Sequence, residues 1–227
     1  MNNSKTKKLI IVGDSSFAEI AYEYFTFDSN YEVVAFSVEQ NFLKKNRLCN
    51  LPVVPFEQLE VTFPPQEYEI FVAIVYTQLN RLRTRLVDTA KKKGYKLASY
   101  ISSSAFVWKN VEIGEHCFIF ENNTVQPFVK IKDNVILWSG NHIGHHSTIK
   151  NNCFISSQVV ISGHCTIGES CFIGVNATLS NNVNLGEDNW LSPNVVILKD
   201  TENNQLYNIS ANNPSKISSK RFFKIRE

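Results

Sequence analysis

From Ile101 to Ile197, every sixth residue is aliphatic: Ile101, Val107, Ile113, Ile119, Val125, Ile131, Leu137, Ile143, Ile149, Ile155, Ile161, Ile167, Ile173, Leu179, Leu185, Leu191 and Ile197. Two positions before these rungs the residue is mostly small (Ala105, Cys117, Ser147, Cys153, Cys165, Cys171, Ala177), and glycine follows several of them (Gly114, Gly144, Gly168, Gly174, Gly186). Neither the helical period of 3.6 nor the strand period of 2 accounts for one large aliphatic in six. A triangular coil does, with short extended faces, one inward aliphatic per face and small residues near the corners. Hexapeptide repetition is the mark of a β-helix solenoid. Three hexads close one turn of about eighteen residues, and successive turns hydrogen-bond at about the 4.7–4.9 Å of neighbouring strands. The register is unbroken, so no long loop interrupts the solenoid.

The first hundred residues follow other periods. Residues 8–12 (KLIIV) read as a buried strand ended by Gly13. Ser16-Phe17-Ala18-Glu19 has the capping-box spacing and opens a helix to Tyr24 or Phe25. Residues 31–36 (YEVVAF) form a second strand, 51–54 a short edge segment and 68–75 (YEIFVAIV) a third strand. Thr77 then caps a helix with Leu79, Leu82, Leu86 and Ala90 on one face, stopped by Gly94. This alternation predicts a small parallel sheet, Rossmann-like in outline. The chain is thus expected to divide into an α/β unit (1–98), an all-β solenoid (99–200) and a closing segment (201–227).

Composition narrows the partners. A net charge of +2 with 43% hydrophobic residues gives no overall basic signal for nucleic acid. No apolar run approaches the roughly 20 residues that span a membrane, and the apolar residues 9–12 are too few for a signal peptide. Of five cysteines, Cys117, Cys153, Cys165 and Cys171 fall at the small hexad position, and Cys49 lies outside the repeat. They read as small buried hydrophobes of a reducing compartment. A cytoplasmic protein is expected.

In α/β sheets ligands sit beyond the carboxyl ends of strands, and helix N-termini favour phosphate. That nominates Gly13, Asp14, Ser15, Ser16 and Phe17, then Ser37, Val38 and Glu39, then Val75, Tyr76 and Thr77. The turn G-D-S-S-F-A lacks the Gly-rich fingerprint and carries Asp14 where phosphate would approach, which argues against a dinucleotide. The alternative is an α/β unit that merely caps the solenoid. In the repeat, Trp138-Ser139-Gly140-Asn141-His142-Ile143-Gly144-His145-His146-Ser147 holds three of the five histidines. With Ile143 inward, His145 and His146 fall on the outer surface.

An α/β unit followed by hexads, the His-containing coil and Gly174-Val175-Asn176-Ala177-Thr178-Leu179 resemble bacterial sugar acyltransferases of the left-handed β-helix superfamily. The resemblance is to the branch of sialic acid O-acetyltransferases and of N-acetyltransferases acting on nucleotide-linked 4-amino-4,6-dideoxysugars. It implies a left-handed parallel β-helix, a homotrimer, acetyl-CoA as co-substrate in the groove between neighbouring solenoids, and no metal. It also implies a nucleotide-linked amino sugar on the α/β unit, in the synthesis of a surface glycan, with no membrane or nucleic-acid partner.

Aligned through the hexads, the catalytic histidine of similar enzymes falls on His145, the proposed general base. Imidazole ordinarily titrates near pH 6.5, and such proton transfer is worth about 10²–10⁴-fold. The pattern there is Glu-His-Asp or Glu-His-Glu, whereas Gly144 and His146 flank His145 here. Either His146 or a backbone carbonyl then orients the ring, or the base matters less here, and His142 is a rival base. His142, His145 and His146 could instead hold zinc, as in hexapeptide carbonic anhydrases, or form only an exposed polar stripe. The resemblance places acetyl-CoA contacts at Phe154, where relatives carry a second histidine, and at Ser162, Gly163, Gly174, Val175, Leu191, Ser192 and Pro193. Trp190 and Pro193 replace small residues. The segment 211–216 resembles a closing Gly-x-Pro-Ala-Lys motif without its glycine, and the basic 218–227 is either a solvated terminus or a neighbour of CoA phosphates. Two alternatives to amine acetylation stand: O-acetylation of a sugar hydroxyl, and an inactive solenoid that binds a nucleotide sugar.

Overall fold

A rung every six residues requires a corner every six residues. In the computed structural model, which describes residues 5–210 and 215–225, those corners lie in left-handed backbone. Asn122, Asn134, Asn152, Asn176, Asn182, Asp188, Asn194 and the histidines His116, His146 and His164 all have φ between 55° and 64°. Asn, Asp and His tolerate that region better than other side chains. Each corner is followed by a two-residue strand, and residue i pairs with i+18 in parallel: Phe118 with Ile136, Thr124 with His142, Lys130 with Thr148.

Three stacked sheets result, and the solenoid is a parallel β-helix. The first face has seven strands from Tyr100–Ile101 to Leu206–Tyr207, the second six from Phe106–Val107 to Val196–Ile197, and the third five from Glu112–Ile113 to Asn184–Leu185. The strand Leu206–Tyr207 pairs with Trp190–Leu191 and carries the first face beyond the last hexad. Every rung from Ile119 to Ile197 is buried, each worth about 1.5–3 kcal/mol relative to exposure. The first coil differs, since its strands end the three sheets among the described residues: Ile101 is 42% exposed, and Val107 and Ile113 are half-buried. Cys117, Cys153, Cys165 and Cys171 are interior and each thiol donates to a backbone carbonyl at 3.1 Å. Burial raises the Cys117 thiol to about 12, and all five cysteines are free.

The amino-terminal unit is built on β1 (Lys7–Val12), β2 (Tyr31–Val38), β3 (Arg47–Leu48), β4 (Leu51–Pro55), β5 (Tyr68–Val72) and β6 (Lys96–Leu97), in the order β3-β4-β2-β1-β5-β6. All pairs are parallel except β3 with β4, so the segment expected at the edge is covered by one short antiparallel strand. Alternation along β1 divides the core: Leu9 and Ile11 face α1 (Ser16–Phe27), while Ile10 and Val12 face α3 (Arg81–Lys92). A short α2 (Leu59–Thr62) lies between β4 and β5.

Two helix starts differ from the sequence reading. The N-cap of α1 is Ser15, whose carbonyl accepts from Ala18 and Glu19, and no side chain caps it. The helix α3 begins four residues after Thr77, because Gln78, Leu79 and Asn80 adopt φ of 54°, 48° and 67°. Asn80 is drawn into that turn by the solenoid: it is fully buried and donates to the carbonyls of Ser170 and Cys171 at 3.1 and 3.2 Å. Gly94, at φ 88°, ends α3 as expected.

The α/β unit sits on the first face. Tyr100, Phe118, Ile136, Phe154, Phe172 and Trp190, one per coil, form an outward column that it covers. Phe118 meets Phe17 and Phe25 edge-on, both with centroids 5.7 Å away, and such pairs add about 0.5–1.5 kcal/mol beyond their buried area. At the corner between third and first faces a polar tie completes the joint. Arg83, wholly buried, donates to Asn134 Oδ1 at 2.9 Å, to the Val75 carbonyl at 2.6 Å, and to the carbonyls of Asn152 and Cys153, both at 3.1 Å. Burial lowers its pKa to about 9, so it remains charged at neutral pH. His116 Nε2 accepts from the Val72 amide at 2.8 Å and its Nδ1 lies 2.8 Å from Asn134 Oδ1, so Nδ1 carries the proton.

Burial, together with the charges of Arg83 and Lys91, lowers the His116 pKa to about 3 against the stabilising bond to Asn134. The folded pKa lies below the unfolded one, near 6.5. The neutral ring therefore contributes its full stability above about pH 6.5, and that contribution is lost as pH falls towards 3. The limiting slope is about 1.4 kcal/mol per pH unit. His116→Asn, which suits the left-handed corner, is expected to flatten the stability-pH curve between those limits in urea titrations. An unchanged slope would remove His116 as its source. Among the described residues, no helix is long and apolar enough to cross a membrane.

Candidate functional site

Three places bring the nominated residues together. The first is the corner between the second and third faces. His145 and His146 follow the strand His142–Ile143, and the corner turns at His146, φ 59°. His145 Nδ1 lies 3.1 Å from His146 Nδ1, and the His145 amide donates to Gln126 Oε1 at 2.9 Å. His146 is held between two rings exactly one coil away on either side: Phe128, stacked at 4.6 Å, and His164, stacked at 4.8 Å. His145 stands perpendicular to His164, with centroids 5.0 Å apart. One coil above His145 lies Gly163, where a Cβ would come 2.8 Å from His145 Cε1. The ring therefore occupies space that only glycine leaves open. All three imidazoles at the corner are exposed, whereas His142 sits half-buried on the second face, outside the cluster.

The second place is a cleft of about 580 Å³ beyond the carboxyl ends of β1 and β2. Of the nominated residues, Gly13, Asp14, Ser15, Val38, Glu39 and Thr77 line it. Gly13, at φ 128°, approaches so closely that a Cβ would lie 2.9 Å from the Ala73 carbonyl oxygen. Lys45 Nζ donates to the Asp14 carbonyl at 2.9 Å. Arg85 grips Glu39 with two bonds of 2.7 and 2.8 Å and holds its carboxyl below the usual range. Ser16 opens α1, and neither Phe17 nor Ser37 lines the cleft. Phe17 is 3% exposed because its ring fills the joint with the solenoid, and Ser37 is enclosed between strands.

The third place lies where the loop after β5 meets the corner between first and second faces. Val75, Tyr76, Trp138, Phe154, Ser156, Ser157 and Val175 enclose about 250 Å³. Tyr76 presents its ring edge-on to Phe172 at 4.6 Å and Phe154 at 5.2 Å. Phe154 itself is 3% exposed and belongs to the covered aromatic column. Gly174, Val175, Ser192 and Pro193 share this edge of the prism, and a Cβ on Gly174 would lie 2.6 Å from the Leu191 carbonyl oxygen. Ser162 and Gly163 lie instead on the histidine edge. The nominated acetyl-CoA contacts are thus split between two edges, with the second face between them.

The corner also contains side chains that the sequence reading passed over: His164, Phe128 and Gln126 beside the histidine pair. In the cleft, Phe42, Ile74, Gln78, Leu82, Arg85 and Leu86 were likewise missed. The signal for Phe128 and His164 was present, since both are eighteen residues from His146 and the parallel register brings such positions into contact. The nomination in 211–216 falls largely outside the described residues, as do residues 1–4 and 226–227.

Comparison with known proteins bears on this arrangement. Residues 101–145 and 146–181 match the family described as bacterial transferase hexapeptide (six repeats). Both matched segments lie within the coil. No curated protein sequence matches the chain. Among solved structures, the acetyltransferase domain of PglB from Neisseria gonorrhoeae FA1090 superposes with a TM-score of 0.80 at 24% identity, covering 88% of this chain and 96% of that one. The same domain in complex with acetyl coenzyme A gives 0.79 at 23%, covering 88% and 95%. PerB from Caulobacter crescentus, in complex with CoA and GDP-perosamine, gives 0.79 at 24%, covering 88% and 92%. The shared fold therefore includes both the α/β unit and the hexapeptide-repeat coil.

Proposed function

We propose that this chain is an acetyltransferase that moves the acetyl group of acetyl-CoA to the amine of a nucleotide-linked amino-deoxysugar. The observation that carries the reading is the seat of His145, an exposed imidazole packed against Gly163 with Nδ1 engaged by His146. With Nδ1 occupied, Nε2 is the ring atom free to take a proton. The His–His contact supplies, without an acidic neighbour, the orientation that a carboxylate would otherwise provide. As the sugar amine attacks the thioester carbonyl, the C–N bond forms and the C–S bond breaks. The amine proton passes to His145 Nε2, and CoA departs as a thiolate that takes the proton in turn.

The choice of substrates is supported by relatives of the same fold: PglB's domain with acetyl coenzyme A, and PerB with CoA and GDP-perosamine. In this reading residues 1–98 bind the nucleotide at the cleft around Gly13 and Glu39, residues 99–200 form a left-handed coil and carry the chemistry, and 201–227 close it. Within one chain the histidine corner lies opposite the first face, on which the α/β unit sits. A homotrimer resolves this, setting one chain's histidine edge against a neighbour's α/β unit and Gly174–Val175 edge, with the pantetheine between them. The setting is the cytoplasm, in the synthesis of a surface glycan.

The test is thiol release from acetyl-CoA with a panel of nucleotide-linked amino sugars, set beside their hydroxyl counterparts. Turnover confined to amino sugars is expected. Tight nucleotide binding with no turnover on any sugar would overturn the enzyme reading.

A further inference from the structure

We propose that the corner formed by His145, His146 and His164 binds a divalent first-row transition ion, Zn²⁺ above all, and that the bound ion silences His145. One ligand nitrogen from each ring lies within 4.8 Å of the other two. The His145 and His146 Nδ1 atoms are 3.1 Å apart, close to the ~3.3 Å that separates two ligands of a tetrahedral zinc with bonds of about 2.0–2.1 Å. The third imidazole is fixed by the fold. His164 stands one coil above His146, and its amide donates to the His145 carbonyl at 2.9 Å. Small side-chain rotations, with no change of backbone, bring the three nitrogens onto one ion.

The donor set selects the ion class. Three neutral imidazoles with no carboxylate among them suit zinc, nickel or copper, whereas calcium and magnesium require oxygen ligands. All three rings are exposed, so a fourth position is open to water. His142, one strand back, takes no part, which distinguishes this trio from the set that adjacency in sequence suggests. Bound through Nδ1, a neutral His145 ring carries its proton on Nε2, the atom that must be unprotonated to accept from the amine, so occupancy and catalysis exclude one another. The binding claim stands on geometry alone, and the inhibitory claim rests on the general-base reading above.

The experiment uses the full-length protein freed of metal by dialysis against chelator. Zn²⁺ binding is measured by calorimetry, and Co²⁺ serves as a spectroscopic probe of tetrahedral coordination. One ion per chain is expected, weakened at least about tenfold in His164→Asn and in His146→Asn. Both substitutions suit left-handed corners, since Asn182 occupies the equivalent position in the next coil at φ 64°. In thiol-release assays Zn²⁺ is expected to inhibit the wild type reversibly, and each variant, referred to its own metal-free rate, to resist that inhibition. Equal binding by wild type and His164→Asn, or none by the wild type, overturns the site. Zn²⁺ binding with undiminished turnover overturns the inhibition and with it the role of His145. If the metal-free protein turns over no sugar, the acetyltransferase reading fails, while the Co²⁺ spectrum still decides the site.

Discussion

His145→Ala is expected to lower kcat by about 10²–10⁴-fold while leaving the thermal midpoint within a degree or two of the wild type. The side chain is exposed and its ring is no part of the solenoid core, so its removal costs little stability. What is lost is the proton acceptor at the attacking amine. Gly163→Ala tests the same assignment with the imidazole retained. Its new Cβ would press on Cε1 and Nε2, at 2.8 and 2.9 Å, and displace the ring. A displacement of about 1 Å can cost on the order of a hundredfold in rate, so this variant is expected to fall in the same direction, with His145 intact. Steady-state kinetics at saturating acetyl-CoA decide the matter. Wild-type kcat in His145→Ala would end its candidacy, and His142 would be tested next.

Arg83→Met is expected to have the largest effect on stability, about 3 kcal/mol or more in urea unfolding. The guanidinium satisfies carbonyls of Val75, Asn152 and Cys153 and the amide oxygen of Asn134, all in one buried joint. A methionine fills much of the volume but donates nothing, and each buried acceptor left unsatisfied costs about 1–3 kcal/mol, partly offset because no charge need then be desolvated. Arg83→Lys cannot reach the same four acceptors from one ammonium and is expected to recover only part of the loss. The Val75 carbonyl anchors the loop bearing Tyr76, so both variants are also expected to loosen the pocket at Phe154 and Phe172. A change below about 0.5 kcal/mol in Arg83→Met would mean that the aromatic column alone carries the joint.

The repeat was legible because it is local. One aliphatic in six dictates a corner in six, and Asn, Asp or His at left-handed φ realises it. The alternation of strands and helices in residues 1–98 was legible for the same reason, as was the stop at Gly94. The start of α3 was not, since Asn80 answers to carbonyls of Ser170 and Cys171, some ninety residues away. For a related reason, the burial of Phe17 and Phe154 was not legible. A hexad marks which side chains point outward but not which outward face another element will cover, and the first face is covered by the α/β unit.

The histidine corner divides the same way. The sequence alone determined that His145 and His146 stand on the outside of a regular coil, because the register of Ile143 and Ile149 leaves them nowhere else. Only the tertiary structure decided their company. The eighteen-residue turn puts His164 and Phe128 against His146, and Gly163 against His145. It also sets the α/β unit on the face opposite that corner. Local periodicity specifies the direction in which a side chain leaves the backbone, whereas its neighbours depend on how turns stack and which surface is buried.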